Sequence, residues 1–225
     1  TQDDLHQAIK ATGLPLLLNA TAAGKDTSVL GNSLDRGFGY LAMRPDDISG
    51  MEVVLGSGEI LKTGYGHYEN ASATANYKFG LGPMLDGLFF QSNLGIVTSA
   101  CVHLHPKREC YETMITRLPK EEDFSRFIDI LASLRRESVF ESVLHIGSAD
   151  RARVTLSPII YRFLLANGMA AGEELRQKAE SLVQGLKPAA WTGVGCIFGT
   201  NEEVRIKVRE FAKRLEPIAT IETVT

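Results

Sequence analysis

The residues from Gly31 to Tyr40, Gly-Asn-Ser-Leu-Asp-Arg-Gly-Phe-Gly-Tyr, form the first stretch of this chain whose types and spacing can do chemistry. Glycines at 31, 37 and 39 let a backbone approach a ligand closely, because no Cβ shields the N–H groups, and clustered N–H groups bind anions. Asn32 offers an amide donor and acceptor in one side chain, and Arg36 can meet a phosphate or brace a carboxylate such as Asp35. The same composition also suits a turn-rich connection that binds nothing. Farther on, His103 and His105 share a spacing that can hold a metal, but no third ligand is evident, and surface histidines explain them as simply. His67 reads as a loop residue after Gly64-Tyr65-Gly66. His145 lies on an alternating strand, where it can face a cavity or covering helices. No nucleophile elbow, Walker loop, HExxH helix or zinc-spaced cysteine set occurs.

These residues need elements to hold them. Leu5–Thr12 has a one-sided apolar spacing and is stopped by Gly13, so a short helix is expected, followed by a buried strand over Leu14–Asn19. No regular period fits residues 21–39. Met51–Leu55 and Glu59–Thr63 read as a hairpin about Gly56-Ser57-Gly58. Ala71–Asn76 reads as loop and Pro83–Phe89 as a short helix or turn. Gly95–Leu104 has strand character, with a pattern that slips near Ser99. After Pro106 the character changes. Strands are expected at Tyr111–Leu118, Val139–Ile146, Trp191–Phe198 and Ile218–Val224. Helices are expected through Phe124, Phe127, Ile128, Leu131 and Leu134, over Glu173–Leu186, and from a cap at Asn201 through Leu215. This order predicts an α+β fold whose second half is an antiparallel sheet with helices on one face. The expected division is 1–106 and 107–225.

The chain has 225 residues and a formal charge of -3 from 24 basic and 27 acidic side chains. That balance gives no bulk field to attract nucleic acid, so a nucleic-acid partner is not expected. The longest apolar runs fall far short of the roughly 20 residues of a membrane span, and no leader pattern opens the sequence. Cys101, Cys110 and Cys196 have no CxxC spacing, which favours a reducing compartment and a cytoplasmic location. No metal is expected.

Three ordered blocks carry a resemblance. They are Gly31 through Tyr40; Gly50-Met51-Glu52-Val53-Val54-Leu55 running to Gly58-Glu59-Ile60-Leu61-Lys62-Thr63-Gly64; and Phe79-Gly80-Leu81-Gly82-Pro83-Met84-Leu85-Asp86-Gly87-Leu88-Phe89 followed by Gln91-Ser92-Asn93-Leu94-Gly95-Ile96-Val97-Thr98. Together they resemble the vanillyl-alcohol oxidase and 4-cresol dehydrogenase family of FAD-linked oxidoreductases. The resemblance implies that residues 1–106 are the C-terminal part of an FAD-binding domain and residues 107–225 part of a mixed α/β cap over the substrate. The implied activity is hydride removal from a small, para-substituted phenol. The implied FAD contacts are Gly31, Asn32, Arg36, Gly37 and Gly39, with Gly95, Ile96 and Val97 on the adenine side through their backbone.

The family places an active-site acid near flavin N5, in a loop that tends to read Tyr-Thr-Pro-Tyr-Gly-Asp-His. This chain reads Tyr40-Leu41-Ala42-Met43-Arg44-Pro45-Asp46-Asp47 and is shorter before Gly50. Asp46 is the implied catalytic carboxylate, slightly ahead of Asp47; two solvent-facing turn residues are the other reading. The implied partners are a small-molecule substrate and the missing parts of the same enzyme, and a homo-oligomer stays open. Two other functions stay open as well. One is a non-catalytic α/β module that associates with the rest of an enzyme. The other is an FAD-linked oxidase of a 2-hydroxy acid or sugar lactone.

Overall fold

The computed structural model describes residues 1–186 and 188–224. The chain forms two compact units, Thr1–Lys107 and Arg108–Thr225. The fold is α+β, as expected.

The first unit opens with α1 (Gln2–Thr12). Thr1 caps it through a capping box with Asp4, and Gly13 closes it in the left-handed region at φ 68°. A short β1 (Leu16–Leu17) pairs antiparallel with β5 (His105–Pro106). The strand expected over Leu14–Asn19 is therefore only two residues long. Residues 21–39, where no period fits, contain a six-residue helix α2 (Val29–Leu34) capped by the Ser28 hydroxyl. The main sheet runs in the order β3–β2–β4, with β2 at Ile48–Leu55, β3 at Ile60–Lys62 and β4 at Gly95–Val102. The hairpin from β2 to β3 closes where expected. Gly58 supplies φ 87° there while its N–H donates to the Leu55 carbonyl.

The register of β2 against β4 shifts between Ser49 and Val53. That irregularity explains the slipped pattern near Ser99. Val97 and Ala100, three residues apart, both pack against the core of Ile48, Met51, Val53, Phe89 and Phe90. A turn at Arg44–Asp47 leads into β2, and another at Asp86–Phe89 delivers Phe89 to the core.

The second unit is a four-stranded antiparallel sheet in the order β7–β8–β6–β9. Its strands are β6 (Cys110–Leu118), β7 (His145–Ser148), β8 (Trp191–Gly199) and β9 (Thr220–Val224). Helices α3 (Phe124–Arg136) and α6 (Asn201–Leu215) bury their apolar stripes on one face. Met114, Leu118, Phe127, Leu134, Ile197, Phe211 and Leu215 are almost wholly removed from water. Each such side chain stabilises the fold by about 1.5–3 kcal/mol. Thr200, rather than Asn201, caps α6, through a capping box with Glu203.

Two expectations for this unit need correction. Val139–Ile146 is not one strand: Val139 and Phe140 pack into the core as irregular chain, and pairing starts only at His145. Between β7 and α5 (Glu173–Gly185) lies an 18-residue helix, α4 (Ala149–Ala166), which the expected element order omits. None of its side chains is fully buried and Pro158 sits inside it. Its apolar residues Ala152, Leu156, Ile160 and Leu164 recur every four positions and are only partly buried, and it carries a residue that normally breaks helices.

Candidate functional site

The first unit places most of the chemistry-bearing residues around one turn. Asp47 is buried, and both of its carboxylate oxygens are engaged. Asn19 Nδ2 donates to Oδ2 at 2.7 Å, and His105 Nε2 lies 2.8 Å from Oδ1. Asn19 also accepts from the Leu41 N–H and donates to the Ala42 carbonyl, so it staples the turn to the end of β1. Arg44 is only 1% exposed, and its Nη1 donates to the Asn19 carbonyl. Its Nε and Nη2 have no hydrogen-bond partner. Burial lowers the Arg44 pKa below the ordinary guanidinium value, and the attraction of Asp47 opposes that shift. Asp47 is thus a buried acceptor for Asn19 and His105, not a solvent-facing turn residue.

Asp46, next to it, is exposed, and its carboxylate has no partner among the described residues. Its main-chain carbonyl and that of Pro45 accept from Lys78 Nζ, at 3.4 and 2.9 Å. Asp46 is therefore the free carboxylate of this turn. Lys78 and His67 line a cleft of about 220 Å³ with Tyr68, Gly80 and Met84. Near Lys78, Asp86 is buried with both carboxylate oxygens outside hydrogen-bonding geometry. Burial raises its pKa; the nearby Thr63 hydroxyl and the Lys78 charge oppose the rise.

The glycine-rich block behaves differently from a preformed anion nest. The Gly31 N–H donates to Ser28 Oγ at 3.0 Å, that of Gly37 to the Asn32 carbonyl at 2.8 Å, and that of Gly39 to the Ala42 carbonyl at 2.9 Å. All three donors are used within the chain. A Cβ on Gly37 would overlap the Asn32 amide, and one on Gly39 would overlap the Asn19 amide. These two glycines make room for asparagine side chains. Asn32 Oδ1 is buried without a partner, and it is the unsatisfied acceptor of the block. Arg36 is exposed, sits at φ 55°, and its guanidinium bonds to none of the described residues.

Gly95, Ile96 and Val97 begin β4, an edge strand whose second side pairs with no described strand. A Cβ at Gly95 would come within 2.6 Å of Val53 Cγ1 and 3.0 Å of the Val54 carbonyl, so packing requires glycine here. Val97 faces the core, and Ile96 is 73% exposed. An unpaired edge with a free apolar side chain can read the rim of a flat heterocycle while packing its face.

His103 and His105 take different partners. His103 Nε2 lies 2.8 Å from Ser49 Oγ, and His105 belongs to Asp47. The residues that sequence reasoning missed are Asn19, Arg44 and Lys78. Their only signal was a polar residue closing an apolar run and an arginine between Met43 and Pro45, patterns common on any surface.

Several known proteins share this architecture. No model of a known protein family matches the chain. The 1'-carboxy-chondrochloren decarboxylase of Chondromyces crocatus is 35% identical over 212 residues, which covers 90% of this chain and 37% of that protein. The flavoprotein subunit of 4-cresol dehydrogenase [hydroxylating] of Pseudomonas putida is 28% identical over 212 residues, covering 92% of this chain and 39% of that one. The chain therefore spans less than half the length of these curated relatives. Substrate-bound p-cresol methylhydroxylase superposes with a TM-score of 0.82 at 25% identity, over 99% of this chain and 43% of its own. The 4-ethylphenol oxidase from Gulosibacter chungangensis, in complex with isoeugenol, gives 0.81 at 25% identity, over 99% and 42%. On these matches, and on the three motif blocks that fall in β2, β3, β4 and the turns around them, the chain belongs to the vanillyl-alcohol oxidase and 4-cresol dehydrogenase family of FAD-linked oxidoreductases.

Proposed function

We propose that this chain works within an FAD-linked oxidoreductase that removes a hydride from the benzylic carbon of a small para-substituted phenol. The likeness along nearly the whole chain to p-cresol methylhydroxylase with substrate bound carries this reading. When bound, FAD supplies the hydride acceptor, and the protein's part is to position and tune it. Arg36 is the free cation for a phosphate, and Asn32 Oδ1 is the buried acceptor still lacking a donor. The free edge of β4 at Gly95, Ile96 and Val97 takes the adenine side. Gly31, Gly37 and Gly39 act through shape, since their N–H groups are spent inside the chain. Asp46 is the acid of the reacting end, because its neighbour Asp47 is tied to Asn19 and His105.

FAD titration followed by visible absorbance tests the reading. A resolved flavin spectrum that survives desalting, with affinity lowered about tenfold in Arg36→Met, is the expected result for one lost charge-assisted contact. A folded chain that takes up no FAD, or an Arg36→Met variant that binds it unchanged, overturns these contacts.

Two further readings have specific support. The decarboxylase relative favours a carboxylated substrate over a plain alkylphenol. A row of exposed aromatic rings in the first unit, Tyr68, Tyr77 and Phe79, favours association with the rest of the enzyme or with a second copy. Among the described residues no helix is long and apolar enough to cross a membrane. The three free cysteines support a cytoplasmic location within this proposal.

A further inference from the structure

The second unit holds a cleft that none of the flavin-site residues touches. It has a volume of about 290 Å³ and lies between the β7–β8 end of the sheet and the first turns of α4. Val194 and Thr192 point out of β8 opposite His145 and Gly147 of β7, on the side of the sheet away from α3 and α6. Its helix wall is Ala152 and Leu156, one turn apart on α4. Apolar surface dominates the lining, and a volume of this size takes a small ring rather than a large ligand.

Two side chains of the lining can carry a positive charge, His145 and Arg151, and both are exposed. Neither side chain has a hydrogen-bond or ion-pair partner among the described residues. Asp150, the acidic residue next to Arg151 in the chain, holds Arg153 at 2.6 Å. Gly147 keeps Arg151 close, since its missing Cβ would stand 3.0 Å from Arg151 Cδ. The cleft therefore offers one uncompensated guanidinium and one imidazole beside an apolar slot. That combination selects an anionic head on a flat apolar body.

We propose that this cleft binds a small aromatic carboxylate, with the ring between Val194 and Leu156 and the carboxylate on Arg151 and His145. The proposal stands on the second unit alone and needs no FAD, so its failure and that of the flavin reading are separate results.

The probe is 4-hydroxybenzoate, titrated into the full chain while backbone amide shifts are followed by NMR, with 4-hydroxybenzamide as the neutral counterpart. The expected result is a saturable shift at the Gly147, Thr192 and Val194 amides, with the amide ligand weaker by about tenfold. Arg151→Met, at an exposed position, is expected to weaken the acid by a similar factor and to leave the neutral ligand unchanged. Ala152→Phe, which fills the slot from the helix side, is expected to abolish both. Equal affinity for acid and amide, an unchanged Arg151→Met, or no saturable shift from either ligand overturns the proposal.

Discussion

At the scale of single residues, the pair Asp46–Asp47 shows how neighbours of one type divide their roles. Asp47 attracts the buried Arg44 and satisfies Asn19 and His105; Asp46 does none of this. Asp47→Ala leaves the buried Asn19 amide and His105 without their acceptor and should destabilise the first unit by about 1–3 kcal/mol. Asp46→Asn should change stability by no more than about 0.5 kcal/mol. Urea unfolding followed at amides of the first unit separates the two. A stable Asp47→Ala protein would show that Asn19 and His105 find other partners. Asp86 makes the converse case. Its folded pKa is raised above the ordinary 3.8 by burial. The folded state then binds more protons than the unfolded state between the two values, so stability is fullest below pH 3.8 and falls as pH rises through the raised value. Asp86→Asn should remove that part of the pH dependence, so a wild type and variant with parallel stability–pH curves from pH 3 to 8 would contradict the assignment.

At the scale of elements, glycines decide how the turn around residue 40 packs. Gly39→Ala drives a methyl into the Asn19 amide, and Asn19 is what ties Leu41, Ala42 and Asp47 together. The expected cost is about 1–3 kcal/mol from overpacking. Amide exchange at Leu41, whose N–H donates to Asn19 Oδ1, should accelerate with it. Unchanged exchange at Leu41 would show that Asn19 can move without releasing the turn. This also marks how far the sequence could be read. The β2–β3 hairpin and the α3 and α6 stripes were legible, because a Gly-Ser-Gly turn and apolar spacings of three and four are local signals. Helix α4 was not read, because Pro158 interrupts the face that Ala152, Leu156, Ile160 and Leu164 mark and none of them is fully buried. The glycines at 31, 37 and 39 were legible as special positions. Their purpose was not, because Asn32 and Asn19 fill the space beside Gly37 and Gly39, and Asn19 comes from a distant stretch of chain.

At the scale of the molecule, the first unit keeps much apolar surface in water. Ile60, Tyr68, Tyr77, Phe79, Leu81 and Ile96 are each more than half exposed. Tyr65 joins Tyr68 to Tyr77 through ring centroids 6.4 and 6.0 Å apart, and Tyr77 meets Phe79 at 6.0 Å, so the aromatic rings form one continuous row. Scattered apolar residues on a surface need no explanation, but a connected row does. If the row is an association surface, removing its exposed end should weaken association and leave the fold intact, because Phe79 and Leu81 lie outside the buried core. The double variant Phe79→Ser, Leu81→Ser should then sediment as a monomer at concentrations where the parent chain self-associates. Its urea midpoint should stay within the scatter expected of surface changes, about 0.5 kcal/mol. A parent chain that is monomeric throughout that range would remove the second copy as occupant and leave the rest of the enzyme as what the row meets. Self-association that survives the double variant would place the contact elsewhere and return the row to ordinary surface.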